Sequence, residues 1–194
     1  MITGEAMYTI RPYEEKDKNR VRLICRETTG EENKTSENKL RSITLIFNDY
    51  FTENEPHNIF VAADERDEAM GYVICSTNLN KFRKKMLTTY ALRVIKTYPL
   101  SLPLHLASVI AVFITKKRYR VHLHIDIMPE AQRQGLGTKL INELCAHLKK
   151  QDIRHVSVLT IDKKSMGYKF YCRYGFRIVG KIPGGRYTMT YDID

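Results

Sequence analysis

Hydrophobic and polar residues alternate with a period of two near the middle of the chain. The alternating positions are Val121, Leu123, Ile125 and Ile127 against His122, His124 and Asp126. This period predicts a β-strand that shows its apolar residues to one side and its polar residues to the other. Pro129 ends the strand, because its nitrogen cannot donate a ladder hydrogen bond. Beyond a polar turn, apolar residues at helical spacing predict an amphipathic helix, at Leu140, Ile141, Leu144, Cys145 and Leu148.

Elements of the same two periods flank this strand and helix. Strands are predicted at 8–11, 59–62, 71–75, 155–160, 176–179 and 187–191, and helices at 17–28, 38–51, 81–97, 104–115 and 163–174. Gly30 and Gly175 are expected to end the helices before them. The composition of residues 64–68 predicts a β-hairpin, and residues 183–185 a turn. Together these elements indicate the α/β class.

Length and composition favour one soluble domain that spans residues 1–194. The chain is 43% hydrophobic and 28% charged, as globular proteins are. Its four cysteines lie far apart, so neither a zinc ribbon nor a redox pair is predicted. We expect a cytoplasmic protein. The apolar run 104–114 is about half of the roughly 20 residues that cross a bilayer, so no membrane partner is expected. We predict a buried or substrate-covering helix there instead.

The net charge is +10, which favours anionic partners. These could be nucleic acid, a membrane surface or a cofactor that carries phosphates. Basic residues cluster at 81–85 and 116–120. A solvated surface is the more common explanation of such clusters, and a bound cofactor would account for only part of the charge.

The loop Gln132–Gly137 connects the central strand to its helix. The first N–H groups of a helix have no intrahelical partner and lie at the positive end of its dipole, so they can bind a phosphate. Gly135 and Gly137 lack the Cβ atoms that would hold such an anion away. The alternative is an ordinary connection whose glycines permit tight packing.

The loop resembles the central motif of the GNAT acetyltransferases, Gln/Arg-x-x-Gly-x-Gly/Ala, with Gln132, Gly135 and Gly137 at the defined positions. Residues 168–176 resemble a second GNAT motif, Phe/Leu-Tyr-x-x-x-Gly-Phe. On these two motifs the chain is identified as a member of the GNAT superfamily. The resemblance implies a mixed, mostly antiparallel sheet flanked by helices, with a helical insertion at about 79–117. A weaker resemblance links strand 123–126 and the insertion to the acetyltransferase-like domains that accompany O-GlcNAc hydrolases.

The GNAT resemblance implies an acetyl-CoA-dependent N-acetyltransferase in which an amine attacks the thioester directly within a ternary complex. The loop residues implied to bind the pyrophosphate are Gln132, Arg133, Gln134, Gly135, Leu136, Gly137 and Thr138. The strand before the loop is implied to carry a bulge and to splay from its neighbour. The main chain of Ile127 and Met128 would then hold pantetheine, with the Ile127 amide as oxyanion donor. Lys164 replaces an Asn that many members carry, which puts one cofactor contact in doubt.

Proton transfer is assigned to three side chains. By resemblance, Tyr171 protonates the departing thiolate, and a phenol is protonated at neutral pH. The general base is Asp126 or, as second choice, His124, because strand alternation places both on one face. Tyr171 could instead be a packing aromatic, and the titratable residues of the strand could form a hydrogen-bond network. The acceptor is an unidentified amine of a small molecule or protein, and a homodimer is possible.

Two other functional classes remain as alternatives. The spacing His122-x-His124-x-Asp126 resembles a metallohydrolase motif, but Ile127 replaces the next ligand, so no metal is expected. A non-catalytic module on a GNAT scaffold could bind acyl-CoA or nucleic acid. The intact glycines favour cofactor binding, so nucleic acid is not expected as the partner.

Overall fold

The computed structural model describes residues 7–114, 121–182 and 185–193. Seven strands form one sheet: β1 Thr9–Pro12, β2 Ile59–Ala63, β3 Ala69–Ser76, β4 His122–Ile127, β5 His155–Ile161, β6 Arg177–Ile182 and β7 Arg186–Asp192. The strand order is β1-β2-β3-β4-β5-β7-β6. Only β4 and β5 pair in parallel within this sheet of described residues. The mixed, mostly antiparallel sheet flanked by helices is confirmed.

Eight α-helices lie in the described part of the chain. They are α1 Lys18–Thr28, α2 Glu37–Phe47, α3 Asp49–Asn54, α4 Leu79–Lys85, α5 Ala91–Thr97, α6 Leu102–Ile114, α7 Leu136–Lys150 and α8 Met166–Tyr174. A π-helical segment, Met86–Tyr90, joins α4 to α5. The basic run 116–120, and Pro183 and Gly184 of the predicted turn, lie outside the described residues.

Helices cover both faces of the sheet and give it two hydrophobic cores. Successive residues of β3 point to opposite sides, so Ile74 joins the core under α1, α2 and the insertion, while Val73 joins the core under α7 and α8. β2 and β3 are buried along their whole length. The same alternation turns His124 and Asp126 of β4 toward the α1 and α2 side, opposite Ile74 and Tyr72 of β3.

Two local predictions for the first helices are wrong. The predicted helix 38–51 breaks at Asn48, where φ is −130° and ψ is −56°. After the break, Arg22 Nε donates a 2.9 Å hydrogen bond to Oδ1 of Asp49. The helical spacing of apolar residues continues across the break, so the sequence pattern does not reveal it. Gly30 has an extended backbone, so it does not close α1 in the left-handed region. Gly175, at φ 113°, closes α8 as predicted.

β4 and β5 diverge soon after they meet. They pair only at His122 and Ser157, where the Ser157 N–H donates to the Val121 carbonyl at 2.8 Å. On its other edge β4 pairs with β3 without a register shift, so the bulge implied for β4 is absent. The register shift lies in β5, between Val158 and Ile161. The divergence leaves a gap between the two strands toward Ile127.

The helical insertion packs on the α2 side of the sheet. It contributes six buried side chains to the core there: Leu79, Phe82, Met86, Tyr90, Val94 and Val109. No helix among the described residues is long and apolar enough to cross a membrane. The prediction of a buried helix thus holds for the inner side of α6.

Candidate active site

A cleft of about 1040 Å³ extends from the gap between β4 and β5 to the start of α7. The predicted site residues that line it are His124, Asp126, Ile127, Gln132, Arg133, Gly135, Leu136, Gly137, Thr138 and Tyr171. Met128 and Gln134 do not line it. The structure therefore brings together the loop, the strand end and the helical tyrosine that the two motifs contain.

The start of α7 presents free donors to this cleft. Gly135 precedes the helix with a left-handed φ of 75°, and the first intrahelical bond runs from the Lys139 N–H to the Gly135 carbonyl at 3.1 Å. The N–H groups of the first three helical residues, 136–138, precede that bond and are left for a ligand. A Cβ built on Gly135 meets nothing within 4 Å, so the space beside it is open. This end of the cleft fits a phosphate.

Gly137 has a different role from Gly135. A Cβ added to Gly137 would lie 2.9 Å from Cζ of Phe170, so the missing side chain lets α8 pack closely against α7. At this position the packing alternative explains the glycine. The two glycines of one motif thus serve two purposes, an open anion site at Gly135 and a helix contact at Gly137.

The polar side chains of the loop also have different roles. Gln132 donates from Nε2 to the carbonyl of Ile127 at 2.9 Å and so ties the loop to the end of β4. Gln134 donates to the Glu130 carbonyl at 3.3 Å, away from the cleft. Arg133 lines the cleft together with Arg173 of α8, which adds positive charge beside the helix N-terminus.

The backbone of β4 points alternately toward β3 and toward the gap. The Met128 N–H donates to the Met70 carbonyl of β3 at 2.8 Å, so the amide implied to hold pantetheine is already bonded. The Val121 carbonyl faces β5, and Ile127 has the same parity. The Ile127 N–H therefore faces the gap, where it can donate a hydrogen bond to a ligand.

His124 and Asp126 form a hydrogen-bonded pair on the cleft wall. Nε2 of His124 lies 2.9 Å from Oδ2 of Asp126, and the Tyr72 hydroxyl donates to the same oxygen at 2.5 Å. Because a carboxylate only accepts, Nε2 carries the proton, and Nδ1 of a neutral ring is left to accept one. The His124 side chain is 42% exposed, while Asp126 lies deeper.

Burial and charge compete in this pair. Burial alone would lower the pKa of His124, but the charge and hydrogen bond of Asp126 outweigh it and raise the pKa above 6.5. For Asp126, burial would raise the pKa, but His124, Tyr72 and Thr28 outweigh it and lower the pKa below 3.8. At neutral pH Asp126 is a carboxylate, and His124 is the more basic of the two groups.

Tyr171 is buried within α8 and lines the cleft. Burial, and secondarily the negative charge of Asp126, raise the pKa of its phenol. No side-chain hydrogen bond of the phenol is found within the described part of the chain. Its O–H is therefore protonated at neutral pH and can donate to a ligand in the cleft.

His122 takes no part in this arrangement. Its ring centroid lies 4.8 Å from Phe82 and 5.7 Å from Phe51 in edge-on contacts, and it does not line the cleft. No group of three or more His, Cys, Asp or Glu residues is placed to hold a metal in ranges 7–114, 121–182 and 185–193.

Several cleft residues could not be found from the sequence. Thr28 reaches the site from the end of α1, and Asn142 from α7, where it accepts a 2.7 Å hydrogen bond from Tyr174. Ser165 caps α8 through the Tyr168 N–H and lines the cleft. Lys164, at the divergent family position, lies outside the lining. The positions of Thr28, Asn142 and Ser165 in the cleft depend on tertiary packing, which the periodicity of the sequence does not predict.

Fold and cleft together define an α/β protein that can hold a phosphate-bearing ligand between two diverging strands. A family model described as an Acetyltransferase (GNAT) domain matches residues 82–183, more than half of the chain. The chain belongs to the GNAT acetyltransferase family. The identification from the two motifs is confirmed, while the weaker resemblance to domains of O-GlcNAc hydrolases stays a prediction. No curated protein sequence matches the chain.

Solved structures share this fold at low sequence identity. A protein named SsHAT is 21% identical, with a TM-score of 0.84 over 96% of this chain and 98% of that chain. The PaiA N-acetyltransferase from Thermoplasma acidophilum, in complex with coenzyme A, is 15% identical, with a TM-score of 0.61 over 96% and 99%. YncA, a putative acetyltransferase from Salmonella typhimurium with acetyl-CoA, is 14% identical, with a TM-score of 0.58 over 97% and 95%. At these identities the likeness shows the fold.

Proposed function

We propose that the chain, as a single domain, is an acetyl-CoA-dependent N-acetyltransferase. It transfers an acetyl group to a primary amine of a small molecule or protein by direct attack in a ternary complex. The observation that carries the proposal is the cleft itself, because His124 and Tyr171 share it with the free N-terminus of α7. Membership of the GNAT family supports the same reaction class.

The residues present fit the cosubstrate. The N–H groups of 136–138, with Arg133 beside them, would hold the pyrophosphate at the open space next to Gly135. The Ile127 N–H would donate a hydrogen bond to pantetheine or to the thioester carbonyl. Met128 and Gln134 are not among the proposed contacts. When bound, acetyl-CoA supplies the activated acetyl thioester.

Three groups of the chain handle charge and protons during transfer. Nδ1 of His124 accepts a proton from the acceptor ammonium, which frees the amine lone pair for attack. The N–H of Ile127 stabilises negative charge on the carbonyl oxygen as the carbon–nitrogen bond forms. The phenol of Tyr171 would give its proton to sulfur as the carbon–sulfur bond breaks. The tyrosinate would then take the second proton from the acetylated nitrogen, which leaves a neutral amide and restores the phenol.

The proposal reverses the order of the two base candidates. Asp126 is a weak base because its pKa is lowered and its Oδ2 is engaged by Tyr72 and His124. His124 is more exposed and its pKa is raised. In the proposed mechanism His124 takes the proton and Asp126 orients the ring.

Thermal unfolding against rising acetyl-CoA, with desulfo-CoA and ATP as comparisons, tests the cofactor assignment. A ligand at a hundred times its Kd adds about 2.7 kcal/mol of stability. Gly135→Glu should abolish the shift. Gly185→Glu is a matched control, because Gly135 and Gly185 have φ values of 75° and 77° and open space at the Cβ position, while Gly185 lies outside the cleft. Equal loss of the shift in both variants would contradict the loop assignment.

Release of coenzyme A thiol, measured across a panel of small amines and peptides with free amino groups, tests the reaction. Turnover with an amine that is absent with the matching alcohol supports N-acetylation. Tight acetyl-CoA binding without release for any acceptor would favour the non-catalytic acyl-CoA-binding alternative.

A further inference from the structure

The excess positive charge of the protein is confined to one segment. Residues 79–120 contain ten Lys and Arg residues and no Asp or Glu. Outside this segment, basic and acidic residues are equal in number, so the segment accounts for the whole net charge of +10. Its described part, 79–114, forms the helical insertion, so the unexplained charge belongs largely to a single structural feature.

The same insertion exposes most of the large hydrophobic side chains found at the surface. The exposed members are Leu87, Leu92, Ile95, Leu100, Leu106 and Ile110. Leu100 is 78% exposed, Leu92 59% and Ile110 56%. Only three others, Met7, Met166 and Ile178, are exposed in the rest of the described chain. Such clustering is typical of a surface that binds a partner.

The exposed apolar side chains of α5 and α6 face away from the core that the two helices share. Helices α5 and α6 pack against each other, and their inner positions, Val94 and Val109, enter the same core. Their exposed positions therefore both turn away from that core. The outer positions of α6 up to residue 110 carry no polar group: Pro103, Leu106, Ala107 and Ile110.

Uncompensated lysines accompany these apolar residues. Lys84, Lys85 and Lys96 are exposed, and no ion pair engages them in the part of the chain that the structure describes. By contrast, Arg93 pairs with Glu53 at 2.7 Å. We call the six exposed apolar residues together with these three lysines the insertion surface.

We infer that the insertion surface docks the protein onto an anionic lipid bilayer. Apolar side chains would enter the boundary between headgroups and acyl chains, while lysines would extend to the lipid phosphates. Association of two copies through this surface would bring like charges together, and a nucleic acid would leave the leucines unburied. At 13 residues, α6 is too short to span the bilayer, so it would lie along the interface.

Docking would leave the cleft open. None of the described residues of the insertion lines the cleft. The lining of the cleft therefore gives no support to the predicted substrate-covering role of α6. The insertion surface would hold the enzyme at a membrane while acetyl-CoA and acceptor enter elsewhere. Lipid binding stands independently of the proposed N-acetyltransferase activity.

Flotation of the full chain with vesicles tests the inference. Phosphatidylcholine vesicles with about one third phosphatidylglycerol should carry the protein, and pure phosphatidylcholine vesicles should not. Lys84→Gln with Lys85→Gln should weaken binding about fivefold for each lost charge. Lys150→Gln with Lys181→Gln, at exposed positions elsewhere, should leave it unchanged.

Apolar contacts are tested by Leu92→Ser with Ile110→Ser, which should weaken binding about tenfold or more. Ile178→Ser, an exposed apolar position on β6, is the control. Unaltered thermal unfolding midpoints show that each variant is folded. The inference is overturned if no vesicle binds, if both lipid compositions bind equally, or if the apolar variants instead dissolve a dimer seen by light scattering. Binding to duplex DNA that survives the apolar variants would overturn it as well.

Discussion

The hydroxyl of Tyr72 donates a 2.5 Å hydrogen bond to Oδ2 of Asp126. The register of the sheet sets this contact, because Tyr72 of β3 lies directly opposite Asp126 of β4. The same oxygen is 2.9 Å from Nε2 of His124. Tyr72 does not line the cleft, so in the proposed mechanism it is a positioning residue that acts on His124 through the carboxylate.

The pH dependence of kcat/KM should report this contact. Because the pKa of His124 is raised, activity should rise with pH through a value above 6.5 as Nδ1 loses its proton. Tyr72→Phe removes a bond that stabilises the carboxylate, so Asp126 should hold the His124 proton more strongly and the acid limb should move to higher pH. Asp126→Asn removes the charge that raises the pKa of His124, so the limb should move to lower pH.

These opposite shifts separate an electrostatic role from a purely structural one. A variant that is only less stable would lose kcat without moving the acid limb. Thermal unfolding of Tyr72→Phe and Asp126→Asn identifies such a loss. If the limb stays in place in both folded variants, His124 is not the group that titrates in catalysis.

Tyr171→Phe should lower kcat about a hundredfold or more, because the departing thiolate then lacks a proton donor. Acetyl-CoA binding should persist, since the variant keeps the ring and its contacts with Phe170 and Phe176. Tyr168→Phe removes a hydroxyl from the same motif but outside the cleft lining and should keep near-normal kcat. Equal effects of the two variants on single-turnover rates would point to packing for Tyr171.

The two loop glycines should respond differently to alanine. Gly137→Ala places a Cβ 2.9 Å from the Phe170 ring and should cost about 1–3 kcal/mol of stability, as overpacking does. Gly135→Ala meets no atom, but its left-handed φ of 75° should cost about 1–2 kcal/mol. Gly135→Asn should restore part of that stability, because Asn tolerates this conformation, and should still impair acetyl-CoA binding.

Urea unfolding with and without acetyl-CoA measures the free energy of unfolding of these variants and its increase on acetyl-CoA binding. The Gly137→Ala protein should keep its acetyl-CoA stabilisation once its lower starting stability is allowed for. Loss of that stabilisation in Gly137→Ala, or its survival in Gly135→Asn, would contradict the division of roles between the two glycines.

The sequence predicted features that depend on neighbours along the chain. Alternation in β4 placed His124 and Asp126 on one face, and the glycine-bearing loop marked the start of α7. Features set by contacts between distant segments were not predicted. Tyr72 meets Asp126 only through the register of β3 against β4, and Thr28 reaches the cleft only because α1 packs on the sheet.

The helix ends show the same limit. Gly175 and Gly30 both follow a run of residues with helical periodicity, yet only Gly175 takes the left-handed conformation. At Asn48 the apolar period continues across a break in the helix, after which Asp49 pairs with Arg22. Local pattern shows where helical sequence lies, and tertiary contacts decide where a helix stops.

Glu55 is a buried carboxylate held by hydrogen-bond donors. Its oxygens accept bonds from the Tyr50 hydroxyl at 2.7 Å, the Ser76 hydroxyl at 2.8 Å and the Thr77 amide at 2.8 Å. No ion pair to it is found in the ranges that the structure describes. Burial alone would raise the pKa of Glu55, but these bonds outweigh it and lower the pKa below 4.5.

Stability from Glu55 should therefore be fully present above pH 4.5 and be lost as the pH falls through the lowered folded pKa. Glu55→Gln should cost about 1–3 kcal/mol at neutral pH, because an amide NH₂ cannot accept the bonds that a carboxylate oxygen does. It should also flatten the acid dependence of the unfolding free energy, measured by urea at several pH values. Glu65→Gln, at an exposed turn, is the matched control and should leave the curve unchanged. A Glu55→Gln curve parallel to that of the wild type would show that other carboxylates govern acid unfolding.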